Sequence, residues 1–103
     1  MLHDPNKEYA FNLDSLIAWL ETKPADETYD YLDGQHCMCA QYFQARGYTR
    51  ARVTSSRGVY SNGKDFAQFA VPAVFDKIAR NGLVNQKPQT FGHALEVARN
   101  KTY

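Results

Sequence analysis

Cysteine is scarce in this 103-residue chain, and no long apolar run is present. The two cysteines, Cys37 and Cys39, are separated by one residue, a spacing at which a disulfide is geometrically poor in any regular element. Reduced thiols are therefore expected, which favours a cytosolic compartment. The longest apolar candidate, residues 13–20, is interrupted by Asp14 and Ser15. No helix of about 18 apolar residues that could cross a membrane is predicted.

Sequence motifs for phosphate binding, for metal binding and for nucleophilic catalysis are also lacking. There is no Gly-rich phosphate loop, no G-x-S-x-G elbow and no dinucleotide fingerprint. His36, Cys37 and Cys39 are the only His/Cys cluster, whereas zinc sites usually need four ligands. We therefore expect no metal, no cofactor and no catalytic set. An enzyme built on Cys37 near a helix N-terminus, with His36 or His93 as base, is an alternative hypothesis.

What the chain does contain is enough apolar and aromatic material for a core. It is 44% hydrophobic and 14% aromatic, with 7 Tyr, 6 Phe and 1 Trp, so wholesale disorder is not expected. Residues 11–103 are predicted to form one globular domain. Residues 1–10 are polar and lack the basic and apolar regions of a secretory signal, so a flexible arm and a cytoplasmic protein are expected.

Apolar residues at helical spacing predict about four helices. The first spans 13–22, with Asn12 as its cap and Pro24 beyond its end. The second runs from Cys37 to Arg46 and ends at Gly47. A third helical pattern runs from Phe66 to Arg80, and Pro72 is expected to break it near Ala70 rather than to kink one continuous helix. Asn81-Gly82 is expected to end the third helix. A fourth helix is expected to begin after Thr90, whose side chain can cap it.

Short strands are predicted between these helices. Tyr29 and Tyr31 alternate with Asp30, and residues 48–60 follow a period of two that predicts an antiparallel hairpin. Gly58 and Gly63 are expected to lie in turns. Since a two-stranded hairpin is marginal alone, the strand at 29–32 is expected to pair with it. The predicted fold is α+β, with about four helices packed on a small antiparallel sheet of about three short strands.

The net charge of +1 conceals a strong asymmetry along the chain. Residues 1–33 carry a net charge of −6, residues 34–64 contain no acid and carry +5, and residues 65–103 carry +2. This pattern predicts a surface with one acidic and one basic region. The acidic candidates are Asp26, Glu27, Asp30 and Asp33. The basic candidates, with two neighbouring aromatics, are Arg46, Arg50, Arg52, Arg57, Lys64, Tyr48 and Tyr60.

Two stretches resemble small proteins encoded by tailed bacteriophages and prophages. One is Phe11-x-Leu-x-x-Leu-Ile-Ala-Trp-Leu-Glu21, followed by Pro24-Ala25 and Tyr29-x-Tyr31, and the other leads from Cys37 into Ala-Gln-Tyr-Phe43. The similarity covers about residues 11–48, and a weaker similarity extends over Thr90–Leu95. Its positions are mostly those assigned to core faces, so it implies a shared fold and no site residue. It also implies a role in binding and inhibiting or redirecting a host machine, as anti-CRISPR proteins do.

These observations favour a non-enzymatic interaction protein that binds a host protein through a charged surface. The alternative is a nucleic-acid-binding accessory protein that uses the basic hairpin at 46–64, with Tyr48 and Tyr60 stacking on bases. A symmetric homodimer is compatible with either function, because a domain this aromatic can leave an apolar patch exposed.

Overall fold

A computed structural model describes residues 11–54, 56–61, 65–80 and 89–103. Within them the fold is α+β, as predicted, with four helices and two small antiparallel sheets. The predicted arm at 1–10, Lys64, the turn at Gly63 and the helix end at Asn81-Gly82 lie outside the described residues. The elements in chain order are α1 (Leu13–Leu20), β1 (Thr28–Tyr29), α2 (Met38–Ala45), β2 (Arg52–Thr54), β3 (Arg57–Ser61), β4 (Phe66–Ala70), α3 (Ala73–Arg80), β5 (Gln89–Thr90) and α4 (Phe91–Asn100).

Three of the helix ends form as their local sequence predicts. The Asn12 side chain accepts a hydrogen bond from the Asp14 N–H at 2.7 Å and caps α1. Thr90 caps α4 by accepting from the His93 N–H at 3.1 Å. Gly47 follows α2 with a φ of 97°, a conformation that glycine adopts without steric cost. These caps satisfy backbone groups that a helix leaves without partners at its ends.

Helices α1 and α2 are slightly shorter than their apolar patterns. Helix α1 ends at Leu20 rather than at residue 22, with Glu21 as its C-cap. Helix α2 begins after Cys37, whose sulfur accepts from the Ala40 N–H at 3.4 Å, and ends before Arg46. Both predicted boundary residues of α2 are therefore caps.

The strand at 28–29 does not pair with the hairpin, so that prediction is wrong. Strand β1 pairs with β5, and Thr28 lies opposite Thr90. Two further backbone bonds extend this junction, from the Phe91 N–H to the Glu27 carbonyl and from the Gly92 N–H to the Ala25 carbonyl, each at 3.0 Å. The start of α4 thus holds β1 in its own two-stranded sheet.

The third strand of the larger sheet is β4, where the sequence predicted helix at residues 66–70. The sheet order is β2-β3-β4, and all five residues of β4 pair with β3. Gly58 lies within β3 rather than in a turn, and it pairs with Phe69. The Phe69 ring occupies the space where a side chain at position 58 would stand. The predicted helical pattern does stop before Pro72, but the element that precedes this proline is β4 rather than a helix, and α3 begins at Ala73.

Candidate interaction surface

The register of the larger sheet sorts its side chains onto two faces. Arg52, Val59 and Gln68 lie in one row across β2, β3 and β4, and Val53, Gly58 and Phe69 lie in the next. Because neighbouring residues of a strand point to opposite faces, these two rows face opposite ways. Val53 is buried in the core, so its row faces inward. The opposite, outward face carries Arg52, Thr54, Arg57, Val59, Ser61, Phe66, Gln68 and Ala70.

The outward face is basic and contains one large exposed ring. Arg52 and Arg57 are exposed, and the Phe66 side chain is 77% exposed. Arg50 comes two residues before β2 in the left-handed conformation, with a φ of 56°. It lines a cleft of about 220 Å³ together with Arg52, Val59 and Phe66. We call this outward face of β2–β4, with Arg50 beside it, the basic sheet face.

Negative charge is lacking on this face. Strands β2, β3 and β4 contain no acidic residue, and Asp65 precedes β4. Within the described parts of the chain, Arg50, Arg52 and Arg57 form no ion pair. Three guanidinium groups that no described carboxylate neutralises give this surface a positive potential, which attracts anionic groups of a ligand.

Arg46 and Tyr48 were predicted to belong to the basic surface, but the structure places both elsewhere. The Arg46 guanidinium donates to the Ser15 carbonyl at 3.2 Å and lies 5.5 Å from the centre of the Tyr42 ring. Tyr48 is 1% exposed, and its ring centre is 4.8 Å from those of Tyr60 and Phe69. A buried Tyr48 cannot stack on a base or contact a partner.

Tyr60 is half-buried on the inward side of β3, and its ring packs against Tyr48 and Phe69. The aromatic residue that the basic sheet face does expose is Phe66, which sequence reasoning assigned to a helix core. The sequence offered no signal for this placement, because the five residues Phe66-Ala-Gln-Phe-Ala70 are too few to distinguish the period of a helix from that of a strand.

The predicted acidic candidates lie in the segments on either side of β1. Glu27 forms an ion pair with Lys23 at 3.0 Å. Asp30 accepts a hydrogen bond from the Leu32 N–H at 3.1 Å, so part of its hydrogen-bonding capacity stabilises a turn. Asp26 is exposed. The carboxylates of Glu27 and Asp30 are therefore already engaged in contacts with nearby residues.

Asp33 has the most contacts of the four acidic candidates. Its carboxylate accepts from the Gln35 N–H at 2.9 Å and is hydrogen-bonded to the His36 Nδ1 at 2.8 Å. The Gln35 N–H and the His36 ring lower the pKa of Asp33, because both bonds stabilise its charged form. The next residue, Gly34, accepts from the Val53 N–H at 2.8 Å. The acidic turn therefore borders the β2 edge of the basic sheet face rather than lying on a separate side of the molecule.

Both cysteine side chains are buried in the folded chain. Cys37 borders a cavity of about 190 Å³ that Tyr31, Leu32 and Asp76 also line. Burial raises the pKa of the Cys37 thiol, and it raises the pKa of the Cys39 thiol well above the ordinary value. The predicted stabilisation of a Cys37 thiolate by the helix N-terminus is therefore outweighed by desolvation.

Alkylation should be slow for both thiols in the folded protein. Because only the thiolate reacts and a raised pKa keeps the thiol protonated at pH 7.5, we expect iodoacetamide to modify Cys37 at least about tenfold more slowly than in the denatured chain. The rate should increase as the pH is raised toward 9. Mass spectrometry of quenched time points measures it, with the protein in 6 M guanidinium as control. Equal or faster labelling of the folded protein would favour the cysteine-enzyme hypothesis.

The described residues include neither a metal-binding cluster nor a membrane-spanning helix. In the described part of the chain, no group of three or more His, Cys, Asp or Glu residues could hold a metal ion. No described helix is long and apolar enough to cross a membrane. Comparison with known proteins gives no match to a family model, a curated protein or a solved structure.

Proposed function

We propose that this chain is a non-catalytic interaction protein whose basic sheet face docks onto an acidic surface of a partner protein. The observation that carries the proposal is the exposed Phe66 ring next to Arg50 and Arg52 on a face without carboxylates. In line with the resemblance to small phage proteins, the partner is a component of a bacterial host machine, which binding inhibits or redirects.

The composition of this face suits a protein partner. Arginine and aromatic side chains are enriched at the centres of protein interfaces, where a few residues provide most of the binding energy. Phe66 can enter a pocket of the partner, while Arg52 and Arg57 form bidentate bonds with carboxylates around it. The adjoining acidic turn between Asp30 and Asp33 provides a second contact region of opposite sign, in which the Asp30 side chain is exposed. Such a charge pattern favours one orientation of docking.

The second candidate partner is single-stranded nucleic acid, and the cleft beside Phe66 is the observation that favours it. An exposed ring can stack on a base while Arg50 and Arg52 contact phosphates. With Tyr48 buried, only one fully exposed ring remains for this purpose on the described sheet, whereas single-strand binders usually stack several bases. The geometry therefore favours a protein partner.

Capture of the partner and charge reversal together test the proposal. The tagged chain is used to capture proteins from a lysate of the bacterial host, and binding of the purified partner is then titrated by calorimetry. Reversal of two charges, Arg52→Glu with Arg57→Glu, should weaken binding at least about tenfold, because like charges would then face the acidic partner. The control reverses Lys77 and Lys101, which are exposed outside this sheet, and it should retain wild-type affinity.

A parallel titration uses a fluorescein-labelled 20-mer of thymidine, followed by anisotropy at 50 and 200 mM salt. Little binding of this probe is expected at either salt concentration. If the oligonucleotide binds, loses affinity steeply with salt and depends on Arg52 and Arg57, the nucleic-acid function replaces the proposed one. Equal binding of the partner by both reversal variants would refute the docking surface.

A further inference from the structure

The outer edge of β4 presents a row of backbone groups that can bond another strand. The Val71 N–H donates to the Ser56 carbonyl at 2.9 Å, immediately beyond the β3–β4 ladder. In an antiparallel pair, hydrogen-bonded positions recur at every second residue. The backbone groups of Ala67 and Phe69 therefore bond to β3. The backbone N–H and C=O groups of Phe66, Gln68 and Ala70 point away from β3, toward the outer edge. The Ser61 N–H, which donates to Thr49 rather than to Phe66, agrees with this alternation.

This edge lacks the features that usually prevent strand pairing. Edge strands are commonly protected by charged residues, proline, bulges or a covering segment. All five residues of β4 are uncharged, none is proline, and all five pair with β3 in an unbroken register. Among the described residues, none pairs with the outer edge of β4. As far as the described residues extend, the edge is therefore available for a further strand.

The sequence of β4 is complementary to itself. When Phe66-Ala-Gln-Phe-Ala70 is paired antiparallel with a second copy and centred on Gln68, each phenylalanine lies opposite an alanine. On the outward face, Phe66 lies opposite the partner's Ala70, and on the inward face Phe69 lies opposite the partner's Ala67. Gln68 lies opposite the partner's Gln68, where two outward-pointing backbone groups on each strand can form a pair of hydrogen bonds. A strand from an arbitrary protein would place small residues opposite both phenylalanines only by chance.

We propose that two copies of this chain associate through β4 about a twofold axis at Gln68, which joins their sheets into one of six strands. Such a contact is isologous, so it closes after two copies rather than continuing into a fibre. On the inward side, a groove of about 330 Å³ next to this edge is lined by the partly buried rings of Phe11, Tyr60 and Phe69. The partner's strand covers part of this aromatic surface, which adds apolar burial to the hydrogen bonds.

In the dimer, Phe66 of one copy lies in the same row as Arg57 of the other. Arg57 lies opposite Ala70 on the outward face of β3. In the six-stranded sheet, the partner's Phe66 lies on the other side of Ala70, in the same row. Because the alanine side chain is small, the Arg57 guanidinium can extend over it toward that ring, an arrangement that favours a cation–π contact. The basic sheet faces of the two copies become one continuous surface.

Charge substitution at Gln68 tests this pairing, because the residue faces its own copy at the axis. Sedimentation equilibrium of the wild-type chain should show a concentration-dependent dimer. Gln68→Lys and Gln68→Glu should each increase the dissociation constant about tenfold, since like charges then lie directly opposite each other. A mixture of the two variants should form a heterodimer, in which opposite charges meet. A monomeric wild-type chain, or variants that dimerise as well as the wild type, would overturn the proposal.

A second pair of variants tests the backbone bonds. Gln68→Pro removes the N–H that points away from β3 and leaves the bonds between β3 and β4 in place, so it should weaken the dimer at least about tenfold by removing two hydrogen bonds. Gln68→Ala keeps the N–H and should dimerise nearly as the wild type does. Circular dichroism establishes that each variant is folded. Equal dimerisation of the two variants would exclude pairing through β4. The measurement needs no other protein, so its outcome is independent of the proposed function.

Discussion

Replacement of Phe43 with alanine is expected to lower the free energy of unfolding by about 3–5 kcal/mol, the range for truncation of a buried aromatic residue. Phe43 is fully buried at the centre of the aromatic core. Its ring centre lies 4.7 Å from that of Phe69 on β4, 5.3 Å from Tyr48 and 5.6 Å from Phe11. It also lies 6.1 Å from Phe75 on α3. The substitution would therefore leave a cavity where α2, α3 and the larger sheet meet.

A loss of this size is a large part of the stability of a small domain, which is typically about 5–15 kcal/mol. Urea denaturation followed by circular dichroism measures it, and the midpoint should fall without a change in slope. Phe66→Ala is the matched control, because it removes the same atoms from a ring that is 77% exposed. At concentrations where the chain is monomeric, the control should change stability by less than about 0.5 kcal/mol. Similar losses for the two variants would contradict the described core.

Gly92→Ala is expected to destabilise the fold by about 1–3 kcal/mol, although alanine is the better helix former. A Cβ at position 92 would lie 2.6 Å from the Ala25 carbonyl oxygen, 2.8 Å from its Cβ and 3.0 Å from its Cα. Two of these atoms belong to the backbone, so the chain itself would have to move. The Gly92 N–H bonds the same carbonyl at 3.0 Å, and separation of the two segments would lengthen this bond.

The direction of the stability change distinguishes the close contact between Gly92 and Ala25 from the general effect of helix propensity. Alanine in place of glycine would stabilise an unobstructed helix by about 0.5–1 kcal/mol. Gly34→Ala is the control, since a Cβ there meets only the Val53 carbonyl oxygen, at 3.6 Å. That variant should be neutral or slightly more stable, because alanine restricts the unfolded chain more than glycine does. Thermal unfolding of both variants measures the difference, and a stabilised Gly92→Ala protein would show that α4 does not pack this closely against Ala25.

Local signals in the sequence were sufficient to place the starts of α1 and α4 and the end of α2. Asn12 and Thr90 cap α1 and α4 because each side chain reaches an N–H only two or three residues away. Pro72 ends one element and precedes another because its ring and its missing N–H act within one turn. Gly47 takes the left-handed conformation after α2. Each of these effects operates over a few residues, so no tertiary contact is needed to predict it.

The identity of β4 and the pairing of β1 depended on contacts between distant parts of the chain. Phe66, Phe69 and Ala70 fit a helical spacing and a strand equally well, because a five-residue apolar segment is too short to distinguish the two periods. Pairing with β3 and the space above Gly58 decided in favour of the strand. Similarly, the β1 segment pairs with residues 89–90, about 60 positions later, because the start of α4 packs against Ala25.

In the candidate interaction surface, too, some features follow from the local sequence and others from tertiary contacts. The sequence by itself determined that Arg50, Arg52 and Arg57 would be exposed together, because charged residues in an alternating segment occupy the solvent face. It also determined the charge asymmetry and the α+β class. Only the tertiary structure decided that Tyr48 is buried, that Arg46 contacts α1 and that Phe66 lies beside the arginines. Burial depends on which surface a neighbouring element covers, and that choice is made by packing between segments far apart in the chain.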